Sequence, residues 1–327
     1  MKVLFIGGTG IISSAVSKLA VEKGIELYLF NRGRRSDFVP EGAKVIKGDI
    51  KDKSLLLGKT FDVVVDWLAF VPKDVETDIE LFKGSTGQYI FISSASAYQK
   101  PPKHWLITES TPLENPYWQY SRDKIACEDR LMAEYENADF PVTIVRPSLT
   151  YGLTMIPAAI NSWQKPWTIV DRMRKNKKVI IHGDGTAIWT ITHNSDFAKG
   201  FVGLLGNKKA IGQAFHITSD EALTWNRIYQ EIADAANAEL NPVYITSDFI
   251  ARFDPEMTGT LLGDKSHSSV FDNSKIKRFV PDFVATVPFA QGVKRSVEWF
   301  EADPKRCVVD DDYNNFMDRL ILACEKS

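Results

Sequence analysis

Apolar residues in the first half of the chain fall into short runs separated by stretches of helical spacing. Val3–Ile6 is an unbroken apolar run halted by Gly7 and Gly8, the pattern of a strand covered on both faces. From Ile12 to Glu22, Val16, Leu19 and Ala20 share one face of a helix. Leu27–Phe30, Lys44–Ile46, Val63–Val65, Tyr89–Ile92 and Val142–Val145 are further strand candidates, with helices expected at Asp74–Phe82 and Tyr117–Glu136. Pro147 prevents easy continuation of the last strand. This alternation predicts an α/β fold, a doubly wound parallel sheet with helices on both faces.

The pattern loosens after Gly152. The stretch Thr154–Trp167 mixes Pro157, Trp163, Pro166 and Trp167 with polar residues and reads as a pocket wall, with the two tryptophans either capping a substrate or packing. Val179–His182 reads as a strand closed by Gly183-Asp184-Gly185. A helix is expected over Ser195–Leu205, with Ser195 or Asn194 as its cap. Phe215–Thr218 reads as a strand, and Thr224–Ala236, Phe289–Phe300 and Tyr313–Ala323 as helices. The expected division is a dinucleotide-binding portion over residues 1–155, to which 187–210 return, and a smaller α+β portion over 156–327 that mainly binds substrate.

Composition narrows the class. The chain has 327 residues, 44% of them hydrophobic, enough for one large domain or two smaller ones. Its 40 basic and 42 acidic residues leave a net charge of -2, which argues against a nucleic-acid or membrane-surface protein. No segment approaches the roughly 20 apolar residues of a membrane span, and the opening run is too short for a signal peptide. A cytoplasmic protein is the expectation. Cys127, Cys307 and Cys324 lack zinc spacing, and no His, Cys, Asp or Glu group has the pattern of a metal site, so no metal is expected. The run Asp310-Asp311-Asp312 reads as a solvated helix start.

The candidate chemistry begins at Gly7-Gly8-Thr9-Gly10-Ile11-Ile12-Ser13. Glycines between a strand and a helix let the backbone approach a pyrophosphate, and the helix N-terminus offers free N–H groups and a favourable dipole. Ser13 replaces the third glycine of the fingerprint, a change expected to push helix and strand slightly apart. Where an NAD site keeps an acidic residue after the second strand, this chain has Asn31, followed by Arg32, Arg34 and Arg35. Loss of the carboxylate removes repulsion toward a 2′-phosphate, and Arg32 can pair with one. NADP is therefore preferred, with NAD the alternative. Asp49, after the third strand, is placed to meet the adenine edge, or else simply forms a turn.

Tyr120 and Lys124 are one helical turn apart and share a face. A nearby ammonium lowers a phenol's pKa and lets it trade protons near neutral pH. Upstream, Tyr89–Ile92 runs into Ser93-Ser94-Ala95-Ser96-Ala97-Tyr98. In this order, the glycine turn, serine strand end and Tyr-x-x-x-Lys resemble the short-chain dehydrogenase/reductase superfamily, and more closely its extended branch, the NAD-dependent epimerase/dehydratase family. Asp49, Val145-Arg146-Pro147, Tyr151-Gly152, His182–Thr186 and Thr192–Asp196 extend the resemblance, which is specific over residues 1–155 and loose beyond. It implies a Rossmann sheet, with Tyr120 as general acid/base, Lys124 lowering its pKa and holding the nicotinamide ribose, and Ser94 orienting the reacting oxygen. Gly7, Gly8, Thr9, Gly10, Ile11, Ile12, Asn31, Arg32, Arg35, Asp49, Ile50, Leu68 and Pro147, with Tyr120 and Lys124, form the expected cofactor-binding set. Ser93 and Ser96 are expected to be structural hydroxyls.

The departures bear on the substrate. Ala95-Ser96 stands where 4,6-dehydratases carry Asp-Glu, which disfavours that reaction. Leu262 precedes Gly263-Asp264 and Trp189-Thr190 replaces Arg-Asp, so two cationic partners for a nucleotide diphosphate are missing; Lys265 and His267 read as surface loop. The second half is also similar to chloroplast stem-loop RNA-binding proteins, an atypical branch in which the catalytic pair is often lost; here Tyr120 and Lys124 are both kept. The expectation is an NAD(P)-dependent oxidoreductase or epimerase acting on a sugar, nucleotide sugar or small carbonyl compound, with no membrane partner, nucleic acid disfavoured, and a homodimer through helices near Tyr120. The competing expectation is a silent NADP-holding scaffold that binds RNA or a protein.

Overall fold

A computed structural model describes residues 1–326. Seven strands form the main sheet: β1 (Lys2–Ile6), β2 (Glu26–Asn31), β3 (Lys44–Lys47), β4 (Val63–Asp66), β5 (Tyr89–Ile92), β6 (Val142–Val145) and β7 (Gln213–Phe215). Their order is β3-β2-β1-β4-β5-β6-β7, and every pairing is parallel. The order reverses between β1 and β4, which opens a crevice at the carboxyl ends of those strands.

Alternate residues of the buried strands serve two cores. Val3, Phe5, Val63 and Val65 pack with helices α1 (Ser13–Glu22) and α4 (Asn194–Leu204) through Val16, Ala20, Phe197 and Phe201. Leu4, Ile6, Val64 and Phe91 face the other way, onto α2 (Pro72–Phe82) and α3 (Gln119–Ala138) through Val75, Ile79, Cys127 and Leu131. The unbroken apolar runs thus reflect coverage of both faces.

Residues beyond Gly152 build a second lobe around Trp167, Trp225, Tyr229, Phe289 and Val293. A short parallel pair, Val179–His182 with Pro242–Ile245, belongs to it. The chain does not stay there: α4 packs on α1, and β7 extends the main sheet beside β6. Two local expectations are corrected. The strand expected at Phe215–Thr218 lies earlier, at Gln213–Phe215, because pairing with Thr143–Val145 ends at Phe215. The cap of α4 is His193, not Ser195 or Asn194: its Nδ1 accepts from the Ser195 N–H at 3.3 Å, while the Asn194 amide donates to the Ile11 carbonyl at 2.7 Å. Asp310 caps the helix Asp311–Glu325. Among the described residues, no helix is long and apolar enough to cross a membrane and no acidic, His or Cys group is arranged to hold a metal.

Candidate active site

The glycine turn fills the crevice floor. Gly7 and Gly8 have φ of 102° and 94°, a region that L side chains rarely adopt. A Cβ on Gly8 would lie 2.6 Å from Leu29 Cδ2. The Ser17 hydroxyl holds the Gly8 carbonyl at 2.7 Å, and the Gly10 N–H donates to Ser13 Oγ at 2.8 Å. Ser13 is buried, and its hydroxyl closes the turn across the place where the fingerprint keeps a glycine. Behind it, the first-turn N–H groups of α1 have no partners within the helix. Gly8→Ala is expected to destabilise the fold by on the order of 1–3 kcal/mol through overpacking, and to loosen dinucleotide binding. Urea denaturation and a fluorescence titration with NADPH measure the two effects.

A cleft of about 680 Å³ runs from this turn across the sheet's switch point. Gly7, Gly8, Thr9, Gly10, Ile11, Ile12, Asn31, Arg32, Arg35, Ile50, Leu68, Ser94, Tyr120, Lys124 and Pro147 all line it. Asp49 does not: it is exposed one residue before Ile50, and its carboxylate accepts the Lys51 N–H at 3.0 Å, the geometry of a turn. Asn31 Oδ1 accepts the Gly33 N–H at 2.8 Å, but its buried Nδ2 has no partner. Arg32 and Arg34 are exposed on the rim, and Arg35 lies over the Phe38 ring at 4.4 Å. The donors at this end, and the absence of a carboxylate from the lining, suit an anionic group.

Beneath the cleft, Lys53 bridges Asp66 at 3.0 Å and also pairs with Asp78, whose other oxygen accepts from Tyr89 at 2.7 Å. All four groups are buried. Burial opposes charge on Lys53, but the two carboxylates outweigh it and raise its pKa. Asp66 ends β4, and its second oxygen accepts the Leu68 N–H at 2.6 Å, fixing the loop that lies over Gly7.

At the far end, Lys124 donates to the carbonyls of Ala69 and Ile92 at 2.6 and 2.7 Å, and has a third donor left over. Its Nζ stands 4.6 Å from the Phe70 ring centre and 5.8 Å from that of Tyr120. Burial pulls the Lys124 ammonium down to about 8. Tyr120 differs from the expectation: burial raises its phenol above the ordinary range, the Asp264 carboxylate acts the same way, and the opposing influence comes from the Ser94 hydroxyl, not from Lys124, whose ammonium is turned to the two carbonyls. Ser94 Oγ lies 2.9 Å from Ser96 Oγ, which accepts from Ser121 of α3 at 2.7 Å. Ser96 is thus a structural link between the strand end and the helix. Ser93 differs: its buried hydroxyl lines the cleft and has no partner.

Sequence reasoning passed over Asn115. Its buried amide donates to the carbonyls of Ser96 at 2.8 Å and Gly263 at 2.7 Å, while its oxygen accepts the N–H groups of Tyr117 and Trp118. It joins the serine segment, the start of α3 and the second lobe. The signal for it was Asn115-Pro116, a turn pair just before the helix.

A second cavity of about 540 Å³ opens from the same place. Ser94, Tyr120, Pro147, Ser148 and Trp163 line both spaces. Its outer walls come from the second lobe: Trp189, Asp254, Glu256, Asp264 and Lys265 among them. The segment expected as surface loop is instead a π-helical turn, Leu261–Lys265, whose Asp264 and Lys265 side chains are each only 15% exposed. Trp163, 69% exposed, stands at the junction and does not pack in the core, while Trp167 is buried there.

The model of the NAD dependent epimerase/dehydratase family matches residues 3–218. The chain belongs to this family. Its parallel sheet flanked by helices is the Rossmann-like fold of the extended short-chain dehydrogenase type. One relative is the chloroplast stem-loop binding protein of 41 kDa b from Arabidopsis thaliana, 28% identical over 253 residues, 72% of this chain but only 63% of that protein's length. Another is the 2′-dehydrokanamycin reductase of Streptomyces kanamyceticus, 22% identical over 86% of this chain and 80% of that one. Among solved structures, UDP-glucuronic acid 4-epimerase from Bacillus cereus in complex with NAD superposes with a TM-score of 0.72 at 19% identity, covering 94% of this chain and 100% of that one. A nicotinamide dinucleotide is the cofactor of this family.

Proposed function

We propose that this member of the family is an NADP-preferring oxidoreductase that reduces a sugar-like carbonyl compound. The observation that carries the reading is that Ser94 and Tyr120 stand where the two cavities meet, with Lys124 at the closed end of the first. The first cavity has the glycine floor and the unpartnered Asn31 Nδ2 and Ser93 Oγ that a dinucleotide can use; the second, of a volume usual for small-molecule sites, takes the substrate. Residues 1–155 would thus hold mainly the cofactor and 156–327 mainly the substrate. When bound, the nicotinamide supplies the hydride. Tyr120 gives its proton to the carbonyl oxygen, Ser94 orients that oxygen, and the spare donor of Lys124 holds the nicotinamide ribose beside them. Trp118 and Phe70, at 4.9 and 6.4 Å from the Tyr120 ring, restrict water around the phenol.

The Streptomyces relative, named as a reductase, supports reduction with release of the oxidised cofactor; the 4-epimerases favour the return of hydride to the same substrate. The missing diphosphate-binding arginines, replaced by Leu262 and Trp189, favour the reductase. Tyr120 and Lys124 facing one cleft favour either enzyme over a silent RNA-binding scaffold.

Titrating the purified protein with NADPH and NADH, by cofactor fluorescence, tests the reading; binding of neither defeats it. Arg32→Ala is expected to weaken NADPH by about tenfold to a hundredfold, the worth of one charge-assisted hydrogen bond, and to leave NADH unchanged. An equal effect on both cofactors refutes the NADP preference.

A further inference from the structure

Charge distribution separates the two cavities. The first carries arginines at its rim and no carboxylate in its lining. The second is lined by three carboxylates, Asp254, Glu256 and Asp264, against one ammonium, Lys265. That ammonium lies 3.6 Å from the Asp264 carboxylate and so is already matched. Lys100, behind the wall, donates to Ser269 at 3.4 Å; it is itself buried, which disfavours its charge. No arginine lines the space, so a diphosphate would enter a wall that repels it and find no bidentate donor. Trp189, only 2% exposed, lines the same cavity, and its indole N–H has no partner. A buried donor of that kind calls for an acceptor from outside the chain.

Resting on the oxidoreductase reading of this site, we infer that the second cavity selects a polyhydroxylated substrate bearing a protonated amine. Asp254 and Glu256 attract the ammonium at the mouth, Asp264 stays paired with Lys265, and the Trp189 N–H meets a hydroxyl or ring oxygen. Asp254 also accepts the Glu256 N–H at 3.1 Å, a role an asparagine retains, so Asp254→Asn removes charge without removing the turn. Glu256 is exposed, and Glu256→Gln changes charge alone.

The test is calorimetric titration of the NADPH-loaded protein with kanamycin, glucosamine and UDP-glucose at low and moderate salt. Kanamycin is expected to bind, glucosamine more weakly, and UDP-glucose least of the three. The double variant Asp254→Asn/Glu256→Gln should raise the kanamycin Kd by about tenfold or more, and added salt should weaken the wild type more than the variant. Three results overturn the inference: tighter binding of UDP-glucose than of the amines, binding of neither amine, or an unchanged kanamycin Kd in the double variant. NADPH fluorescence in the same samples separates the two levels of failure. A protein that takes up NADPH but no amine defeats only this inference, whereas one that takes up no dinucleotide defeats the oxidoreductase reading and the inference with it.

Discussion

Tyr120→Phe is expected to lower kcat for the proposed carbonyl reduction by about 10²–10⁴-fold, the usual worth of a positioned general acid, and to leave the NADPH Kd close to that of wild type. The substitution removes one oxygen and keeps the ring, so the packing against Trp118 at 4.9 Å survives. The phenol is disposed to stay protonated because it is buried, and its contact with Ser94 only partly offsets this. A proton held this way suits the acid role in reduction. Lys124 makes no hydrogen bond to the phenol: two of its donors go to the Ala69 and Ile92 carbonyls, and its Nζ stands 5.8 Å from the Tyr120 ring centre. Stopped-flow turnover and cofactor titration on the same preparations decide the matter. Unchanged turnover removes Tyr120 from the reaction, and a large loss of NADPH affinity shows a binding role instead.

Lys53→Met destabilises the fold by about 3–5 kcal/mol, the cost of leaving buried charge without its partner. Asp66 and Asp78 are both buried, and the ammonium between them is what allows them to lie in one pocket. Burial and Asp66 already hold the Asp78 carboxyl well above its usual range, with Lys53 pulling the other way. Without Lys53 both carboxyls shift further upward, so the folded variant keeps more proton on the pair than wild type does over a range where the unfolded chain has released it near the ordinary carboxylate pKa. The native state then binds more protons than the unfolded one, so stability falls as pH rises through that interval. The deficit relative to wild type is therefore smaller at about pH 5 than at about pH 8. Adding Asp66→Asn recovers much of the loss, because Asp66 carries the charge left unpaired and an asparagine keeps an acceptor for the Leu68 N–H. Urea denaturation at the two pH values measures all three quantities. A deficit that is independent of pH would show that packing, not charge, holds this pocket. The variant is also expected to bind NADPH more weakly, because Asp66 fixes Leu68 over the glycine turn.

How much could be read beforehand differs between the two lobes for a physical reason. Strands β1, β4, β5 and β6 are buried on both faces, so their sequences are largely apolar runs that stand out without reference to anything else. The short pieces of the second lobe, such as Thr168–Arg174 and Met257–Thr260, carry too few residues for a period to emerge. The cap of α4 is ambiguous in the sequence because three neighbouring residues, His193, Asn194 and Ser195, can all bond to backbone. Only the position of Ile11, distant in sequence, takes the Asn194 side chain elsewhere.

The sequence by itself determined the dinucleotide turn, the order of Ser94, Tyr120 and Lys124 after it, and the loss of the acidic residue at Asn31, because each is a matter of local spacing and residue type. It could not determine that Asp49 turns to the surface, that Asn115 ties three segments together, or that burial pushes the Tyr120 phenol up. It gave no hint that Asp254, Glu256 and Asp264 face Tyr120 across one cavity. The tie at Asn115 and the acidic wall rest on residues more than a hundred positions apart, which only the folding of the second lobe over the sheet brings together.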